Sequence, residues 1–542
     1  MPTARAANPT LPAAPADPQP PAQTAERLVV LVALGSMTIG LAVLMVLSLR
    51  WRPVHDSPIF LFTGLQIDRF GAAPYRDMFD PAAPGTFLLF TTVGKVTGYT
   101  DLGFRLVDLL WTAALGAVTW RLMRRFGPVV AWATVVTYGL LYFVSGSAMS
   151  MQRDYLAVLP IAFATLLSLD AARARRPWVR YVAIGTAFGA AAMIKPQLGA
   201  GLAAVSVYLY SEARRAGPRD AAHPPARATA WGIAGPLVIG VAVVAGPVMA
   251  WLASTGGLDR CIEVFRRYTP LYLSLDGDHA AIDNRLEWLV RGTLGLGGHT
   301  FLLIPIAIAY WRLLRDRVLD DGSRRAALLL AALAATYAIV PASAGQFFSY
   351  HWMPFVFFAV ATAALALRAF AGSWMRPVVV AILAASVLLH VSGDVWTEFG
   401  LARLEVASSP RADEIAAFLD RELEPGDTVQ PLDWVNGAIH GMLIARAELA
   451  TPYLHDYQFF HSVSDPFIAT LRERFIDDFD RERPRFVIDV YDGRPRVTGN
   501  DTSTSFPELD ALLAENYDVV HRGTGFDILE IDDDPWVSPS GS

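Results

Sequence analysis

Eleven apolar runs separated by arginine-bearing turns constrain this 542-residue chain more than any other feature. The first, Leu28–Leu49, is long enough to cross a hydrocarbon layer about 30 Å thick. The others lie near 104–121, 128–146, 155–169, 179–194, 197–211, 231–253, 294–311, 325–342, 353–368 and 376–391. With 53% hydrophobic and only 18% charged residues, a soluble chain would lack the polar surface it needs. The expected fold class is therefore mostly α. It is a polytopic membrane protein of about eleven transmembrane helices, followed by a C-terminal soluble α/β domain. One cysteine excludes an internal disulfide and any cysteine-based metal cluster.

Arginines orient the spans. They cluster at Arg121/Arg124/Arg125, Arg173/Arg175/Arg176/Arg180, Arg214/Arg215/Arg219/Arg227, Arg312/Arg315/Arg317/Arg324/Arg325 and Arg368/Arg376. An inside N-terminus and eleven crossings put every cluster on the cytoplasmic side, as the positive-inside rule requires. The C-terminal domain then lies outside the bacterial cytoplasmic (inner) membrane. The apolar but glycine-broken Gly85–Gly98, which carries Lys95, reads as a helix lying at the interface, because a twelfth crossing would invert every later loop.

Three regions follow. Residues 1–26, rich in Pro and Ala, read as a disordered cytoplasmic leader. Residues 27–394 form the membrane domain, and 395–542 the outer domain. The formal charge of -6 hides the division: 33 basic against 22 acidic residues through position 394, then 12 against 29. In the tail, Ala412–Leu423, Phe467–Asp480 and Leu509–Glu515 read as helices, and Thr428–Pro431, Phe486–Val490 and Phe526–Ile531 as strands.

No P-loop, GxGxxG, HExxH, CxxC or GxSxG is present. Nothing in the chain calls for nucleic acid. What remains is a set of polar segments at the outer ends of the runs. They are His55-Asp56, the stretch Gly71–Gly85 with Tyr75, Arg76, Asp77 and Asp80, Gln152–Tyr155 with Arg153 and Asp154, Lys195-Pro196-Gln197, and Gln346–His351 with Tyr350. A topology set by arginines alone puts all five on one side. Ionisable groups beside hydrocarbon are costly and point to function. Asp56 has no anchoring value. Lys195 is one of only two lysines, and a compact ammonium suits a phosphate. Trp51, Arg52, Tyr155 and Trp352 read as interfacial anchors, and Arg105 with Asp108 as a buried structural pair.

These residues resemble the GT-C superfamily of integral-membrane glycosyltransferases, especially bacterial relatives of the protein mannosyltransferase and aminoarabinose transferase group. The resemblance rests on Asp56 after the first span, GAAPYRDMFDPAAPG from Gly71 to Gly85, Arg105, Lys195-Pro196 and Gln346 to His351. It covers the membrane portion well and the tail only through Glu424–Asp427 and the RPRFVIDV strand. Relatives often carry an Asp-Glu pair where Ser57 follows Asp56, and two prolines where this chain has Ala83-Pro84. Asp154 stands where a second outward acid often occurs.

The resemblance implies that Asp56 is the catalytic acid of the first loop. It implies a polyprenyl-phosphate sugar as donor, and an envelope glycan, lipid or protein as acceptor of the hexosyl or pentosyl group. Outside the cytoplasm a sugar must arrive on a lipid, so the enzyme needs a base for the acceptor hydroxyl and cations for the departing phosphate. Lys195, Arg153, Arg76 and His351 fit the phosphate. His55, Tyr75, Asp77, Asp154, Gln346 and Tyr350 fit supporting places. One base and a good leaving group predict inversion. No cofactor is required; Asp77, Asp80 and Asp154 could hold a divalent cation or orient the arginines, and the second reading is preferred. A transporter or flippase of lipid-linked sugars is the rival, but it predicts internal repeats and charges at the bilayer midplane.

Overall fold

The computed structural model describes residues 21–215, 230–275, 285–294, 299–315, 318–344, 347–392, 409–532 and 535–538. The first helices are α1 (Pro21–Leu47), α2 (Asp56–Arg69), α3 (Pro84–Thr97), α4 (Asp101–Met123), α5 (Pro128–Val144), α6 (Arg153–Ser168), α7 (Pro177–Ile194), α8 (Gly201–Arg215) and α9 (Ala230–Ser254). After them come α10 (Leu258–Glu263), α11 (Thr269–Leu273), α12 (Arg285–Leu294), α13 (His299–Arg315), α14 (Asp321–Ala344), α15 (Met353–Ala364), α16 (Ala366–Ala369) and α17 (Met375–Ser392).

Among the described residues each of the eleven apolar runs overlaps a helix. Among the described residues five helices are long and apolar enough to cross a membrane: Gln23–Arg50, Asp101–Phe126, Ala230–Ser254, Asp321–Ser343 and Ser349–Ala369. Two shorter apolar helices, Pro128–Val144 and Met375–Leu389, accompany them. α15 is apolar on every side and buried at every residue, which makes it the central post of the bundle. α1, by contrast, leaves Leu28, Val32, Ile39 and Val46 more than half exposed, as a lipid-facing helix does. α7 and α9 touch backbone to backbone. A Cβ on Gly185 would stand 2.1 Å from the Leu237 carbonyl oxygen, and one on Gly240 2.1 Å from that of Val182. The GTAFG spacing at Gly185–Gly189 gives α7 the small-residue face such an approach needs.

Between α1 and α4 the sequence reading expected one helix, at Gly85–Gly98. The structure has two, α2 and α3, packed on each other. Lys95 on α3 reaches across to Asp68 on α2 at 2.9 Å. The expected anchors differ more. Trp51, Tyr155 and Trp352 are buried inside the protein, and Arg52 pairs with Asp101 at 2.5 Å and Asp413 at 2.7 Å. Arg52 ties the bundle to the C-terminal domain through Asp413, whereas the Tyr155 hydroxyl lies 2.6 Å from that of Thr112 inside the bundle.

Arg105 and Asp108 do form a buried ion pair on α4, side chains 1% and 0% exposed. Arg105 also bonds Ser150 Oγ and lies 5.0 Å from the Trp51 ring centroid, while the Tyr142 hydroxyl donates to Asp108 at 2.6 Å. Replacing Arg105 with methionine strands a buried carboxylate, so about 3–5 kcal/mol of stability should be lost. The double variant R105M/D108L, which removes both charges together, should cost much less. Thermal unfolding in detergent micelles checks both.

The C-terminal domain holds a five-stranded sheet of β1 (Thr428–Leu432), β2 (Glu448–Leu449), β3 (Phe486–Val490), β4 (Tyr517–Gly523) and β5 (Phe526–Ile531), in the order β2-β1-β3-β5-β4. β2, β1 and β3 run parallel, and β5 is antiparallel to β3 and β4. Helices α18 (Pro410–Glu422), α19 (Ala438–Ala445), α20 (Pro466–Glu482) and α21 (Pro507–Asn516) complete it. β3 and β5 match the sequence expectation residue for residue. α19, β2 and β4 were not foreseen. α19 is eight residues, apolar apart from His440 and Gly441 and too short for a period to read, β2 is two residues long, and β4 shows its side chains mostly to solvent.

This domain sits down on α2 and the segment that follows it. Gln66 on α2 donates to the Ala447 carbonyl at 2.9 Å and accepts from the Leu449 amide at 3.1 Å. The Phe79 amide bonds the Pro452 carbonyl at 2.6 Å. His440 lies 3.2 Å from Asp101, and the Tyr268 hydroxyl 3.1 Å from His461. Buried polar groups matched in this way fix one docking register, and they place the loops after β1 and β3 over the end of the bundle.

Candidate active site

A cavity of about 690 Å³ lies where that domain meets the helix ends. Its membrane-side wall carries His55 and Asp56 at the start of α2, Arg153 at the start of α6, Lys195, Pro196 and Gln197 after α7, and Tyr350 and His351 before α15. Its roof is Trp434, Asn436, His455, Tyr457, Gly493 and Arg496 from the C-terminal domain, and α11 closes one side with Thr269 and Tyr272.

Asp56 owes its position to a turn. His55 has φ 59, a left-handed conformation that non-glycine residues seldom adopt, and it swings the chain from the end of the first span into α2. Asp56 thus becomes the first residue of a fourteen-residue helix, where the backbone amides favour a negative charge. His55 Nδ1 lies 2.8 Å from Asp56 Oδ1. Burial pushes the Asp56 carboxyl up, but His55 and then Arg153 outweigh it and hold the group well below the usual carboxylate range. The Asp56 charge in turn raises the His55 imidazole against the opposing effect of burial. Asp56 is therefore a fixed anion with a cationic neighbour.

The two cations opposite differ. Lys195 Nζ is tied to Asp154 Oδ2 at 2.7 Å, and the Tyr350 ring centroid lies 5.8 Å away. Arg153 lies 4.8 Å from the Phe60 ring centroid and makes no ion pair among the described residues. A partly buried guanidinium held by no direct ion pair keeps donors an incoming anion can take. His351 packs edge-on to Tyr350 at 4.5 Å, and Tyr350 edge-on to His55 at 5.9 Å, so the ring set links both sides of the cavity.

The structure thus brings Asp56, His55, Lys195, Arg153, Tyr350 and His351 to one cavity, with Asp154 directly behind Lys195. It does not bring Arg76 there. That guanidinium bonds its neighbour Asp77 at 2.7 and 2.8 Å and the Thr255 carbonyl at 2.8 Å, with half of the side chain exposed. Asp77 also accepts from the Ala73 amide at 2.8 Å, which closes the turn. The Tyr75 hydroxyl donates to the Ala82 carbonyl at 2.6 Å and its ring packs on Phe87, beneath the cavity. Tyr75, Arg76 and Asp77 therefore shape the segment that delivers Asp80, Pro81 and Ala83 to the wall. Gln346 lies outside the described residues. Asp77, Asp80 and Asp154 do not converge: Asp80 accepts from the Ala82 amide at 2.6 Å and faces His455 at 3.4 Å. Among the described residues no three His, Cys, Asp or Glu side chains group as metal ligands would.

The roof is what sequence reasoning missed. Trp434 stacks on Tyr457 with centroids 4.4 Å apart. Arg496, 3% exposed, is held by Asp456 at 3.0 Å and by the Leu432 carbonyl at 2.9 Å. Asp433 accepts from the amides of Trp434 at 2.6 Å and Ala438 at 3.0 Å, and so fixes the loop that carries Trp434 and Asn436. Only the HDY and RPR clusters at 455–457 and 494–496 could have signalled these positions, and neither is specific.

Among the described residues, a bundle around a buried central helix, two short helices after the first span and a C-terminal α/β cap make up a fold shared with solved proteins. The ArnT of Cupriavidus metallidurans, in a structure described as bound to undecaprenyl phosphate, is similar over 94% of this chain and 99% of its own, with TM-score 0.58 and 14% identity. Its apo state is similar over 91% and 96%, with TM-score 0.53 and 14% identity. More particularly, residues 81–224 match the family model described as dolichyl-phosphate-mannose-protein mannosyltransferase. No curated protein matches in sequence.

Proposed function

We propose that the chain transfers a sugar from a polyprenyl-phosphate donor to an acceptor hydroxyl at the outer face of the bacterial cytoplasmic membrane, with inversion at the anomeric carbon. The observation that carries this reading is the facing of Asp56 and an unpaired Arg153 across one cavity at the helix ends. Arg153 and Lys195 take the donor phosphate. Asp56 accepts the proton of the acceptor hydroxyl as its oxygen bonds to the anomeric carbon, while the carbon–oxygen bond to phosphate breaks and the polyprenyl phosphate leaves with that electron pair. The solved relative described as bound to undecaprenyl phosphate supports the same class of lipid for this cavity. The family model matched by residues 81–224 is described by a dolichyl-phosphate sugar donor, which supports a lipid-phosphate donor here.

The test is a donor panel. Proteoliposomes containing the purified chain should release polyprenyl phosphate and yield glycosylated product from one or more polyprenyl-phosphate sugars. They should yield none from the corresponding nucleotide sugars. Transfer from a nucleotide sugar alone would overturn the reading. Tags at the two termini of the chain in sealed cells should be reached from outside only at the C-terminus.

A further inference from the structure

A second cavity, of about 280 Å³, lies at the far ends of the same helices, where the start of α1, the start of α5 and the turn between α16 and α17 meet. We propose that it is a site for an anionic phospholipid of the opposite leaflet, with the phosphate among Arg27, Arg368 and Arg376 and an acyl chain along Leu31 and Val129.

Charge argues for an anion. Arg376 is partly balanced by Glu26, with Nη1 3.2 Å from Oε1, but its Nε is buried and has no hydrogen-bond partner. Arg27 and Arg368 are exposed and make no ion pair among the described residues. Three guanidiniums against one carboxylate leave a surplus of two positive charges.

The backbone adds donors. α5 begins at this cavity with Gly127 as an uncapped N-cap and Pro128 as its first residue. The amides of Val129 and Val130 belong to the unsatisfied first turn of a seventeen-residue helix, where a phosphate is favoured. The orphan Arg376 nitrogen is independent of that terminus, and both converge on one pocket.

Shape argues for a lipid and not a free anion. Val30, Leu31, Val129 and Val130 line the same cavity, and Leu31 is 48% exposed on the outward face of α1. An inorganic phosphate would use the arginines and leave this apolar shaft to other lipid. A phospholipid satisfies both halves in one molecule. This site is independent of the sugar-transfer reading and stands or falls separately from it.

The experiment uses the full chain, purified in detergent, delipidated and supplied with phosphatidylglycerol, phosphatidylcholine or inorganic phosphate. Native mass spectrometry should show phosphatidylglycerol retained over phosphatidylcholine. The double variant R27Q/R368Q should lower that preference on the order of tenfold, since each arginine near a headgroup contributes measurably. The groove-filling variant Val129→Trp, which keeps every arginine, should also lose the retained lipid and keeps the test open if the double variant fails to fold. Equal retention of both lipids by the wild type would overturn the site, as would an unchanged preference in a folded variant. Displacement of phosphatidylglycerol by millimolar phosphate would mean a free-anion site and overturn the lipid assignment.

Discussion

Asp56→Asn should lower turnover by about 10³-fold, within the range set by loss of a positioned proton acceptor, while the protein still inserts and folds. Asparagine keeps the volume and can still occupy the first position of α2, so His55 and Phe60 need not move. What disappears is the negative charge. Removing an anion that faces Arg153 cannot weaken the hold on a donor phosphate, so the donor KM should stay level or fall while kcat collapses. Product formation per folded molecule in proteoliposomes measures this. Turnover near that of the wild type would remove Asp56 from the chemistry.

The same carboxylate sets the pH dependence. His55 and Arg153 hold it well below the usual range despite burial, so in the free enzyme it stays ionised as the pH falls. kcat/KM should therefore remain level from neutral down to about pH 4, where an ordinary carboxylate would already be protonating. A bound donor phosphate shares Arg153 and weakens its grip on Asp56, which raises the carboxyl in the complex. The acid limb of kcat should then lie at higher pH than that of kcat/KM. Coincident limbs would show that the donor phosphate and Asp56 do not share the guanidinium.

What could be read from the chain was whatever an apolar run delimits. Asp56, Arg153, Lys195 and Tyr350 each stand at the end of a run, so fixing which ends share a side was enough to gather them. Tyr75, Arg76 and Asp77 stand in a turn whose course depends on bonds to Ala82, Thr255 and Ala73, and no period reveals such a course. The segment that contains them reaches the cavity, but through Asp80, Pro81 and Ala83. The roof was less legible still. Trp434, Tyr457 and Arg496 are placed by the docking of a separate domain through Gln66, Phe79 and Asp101, contacts that span hundreds of residues. Local pattern sets each wall's elements, and only tertiary contact sets which residues face each other across the gap.

Arg153 and Lys195 look equivalent in sequence, and their partners separate them. Arg153→Gln should lower kcat/KM for the donor by about 10²–10³-fold, the cost of losing one preorganised donor to a developing oxyanion, and should cost less thermal stability than the loss of a direct buried ion pair. The guanidinium has no direct ion-pair partner to strand, although Asp56, Asp80 and Asp154 act on it from a distance and outweigh its burial. Lys195→Ala behaves differently, because Asp154, 1% exposed, would lose its 2.7 Å partner. That substitution should cost about 3–5 kcal/mol of stability beside its effect on activity, and Lys195→Arg should recover more of the stability than of the turnover. A thermal-shift series run with the donor titrations separates the two signatures. If Arg153→Gln were as destabilised as Lys195→Ala with an unchanged donor KM, the guanidinium would be a structural counter-charge to Asp56, and the phosphate would have to be held by Lys195 with the rings of Tyr350 and His351 beside it.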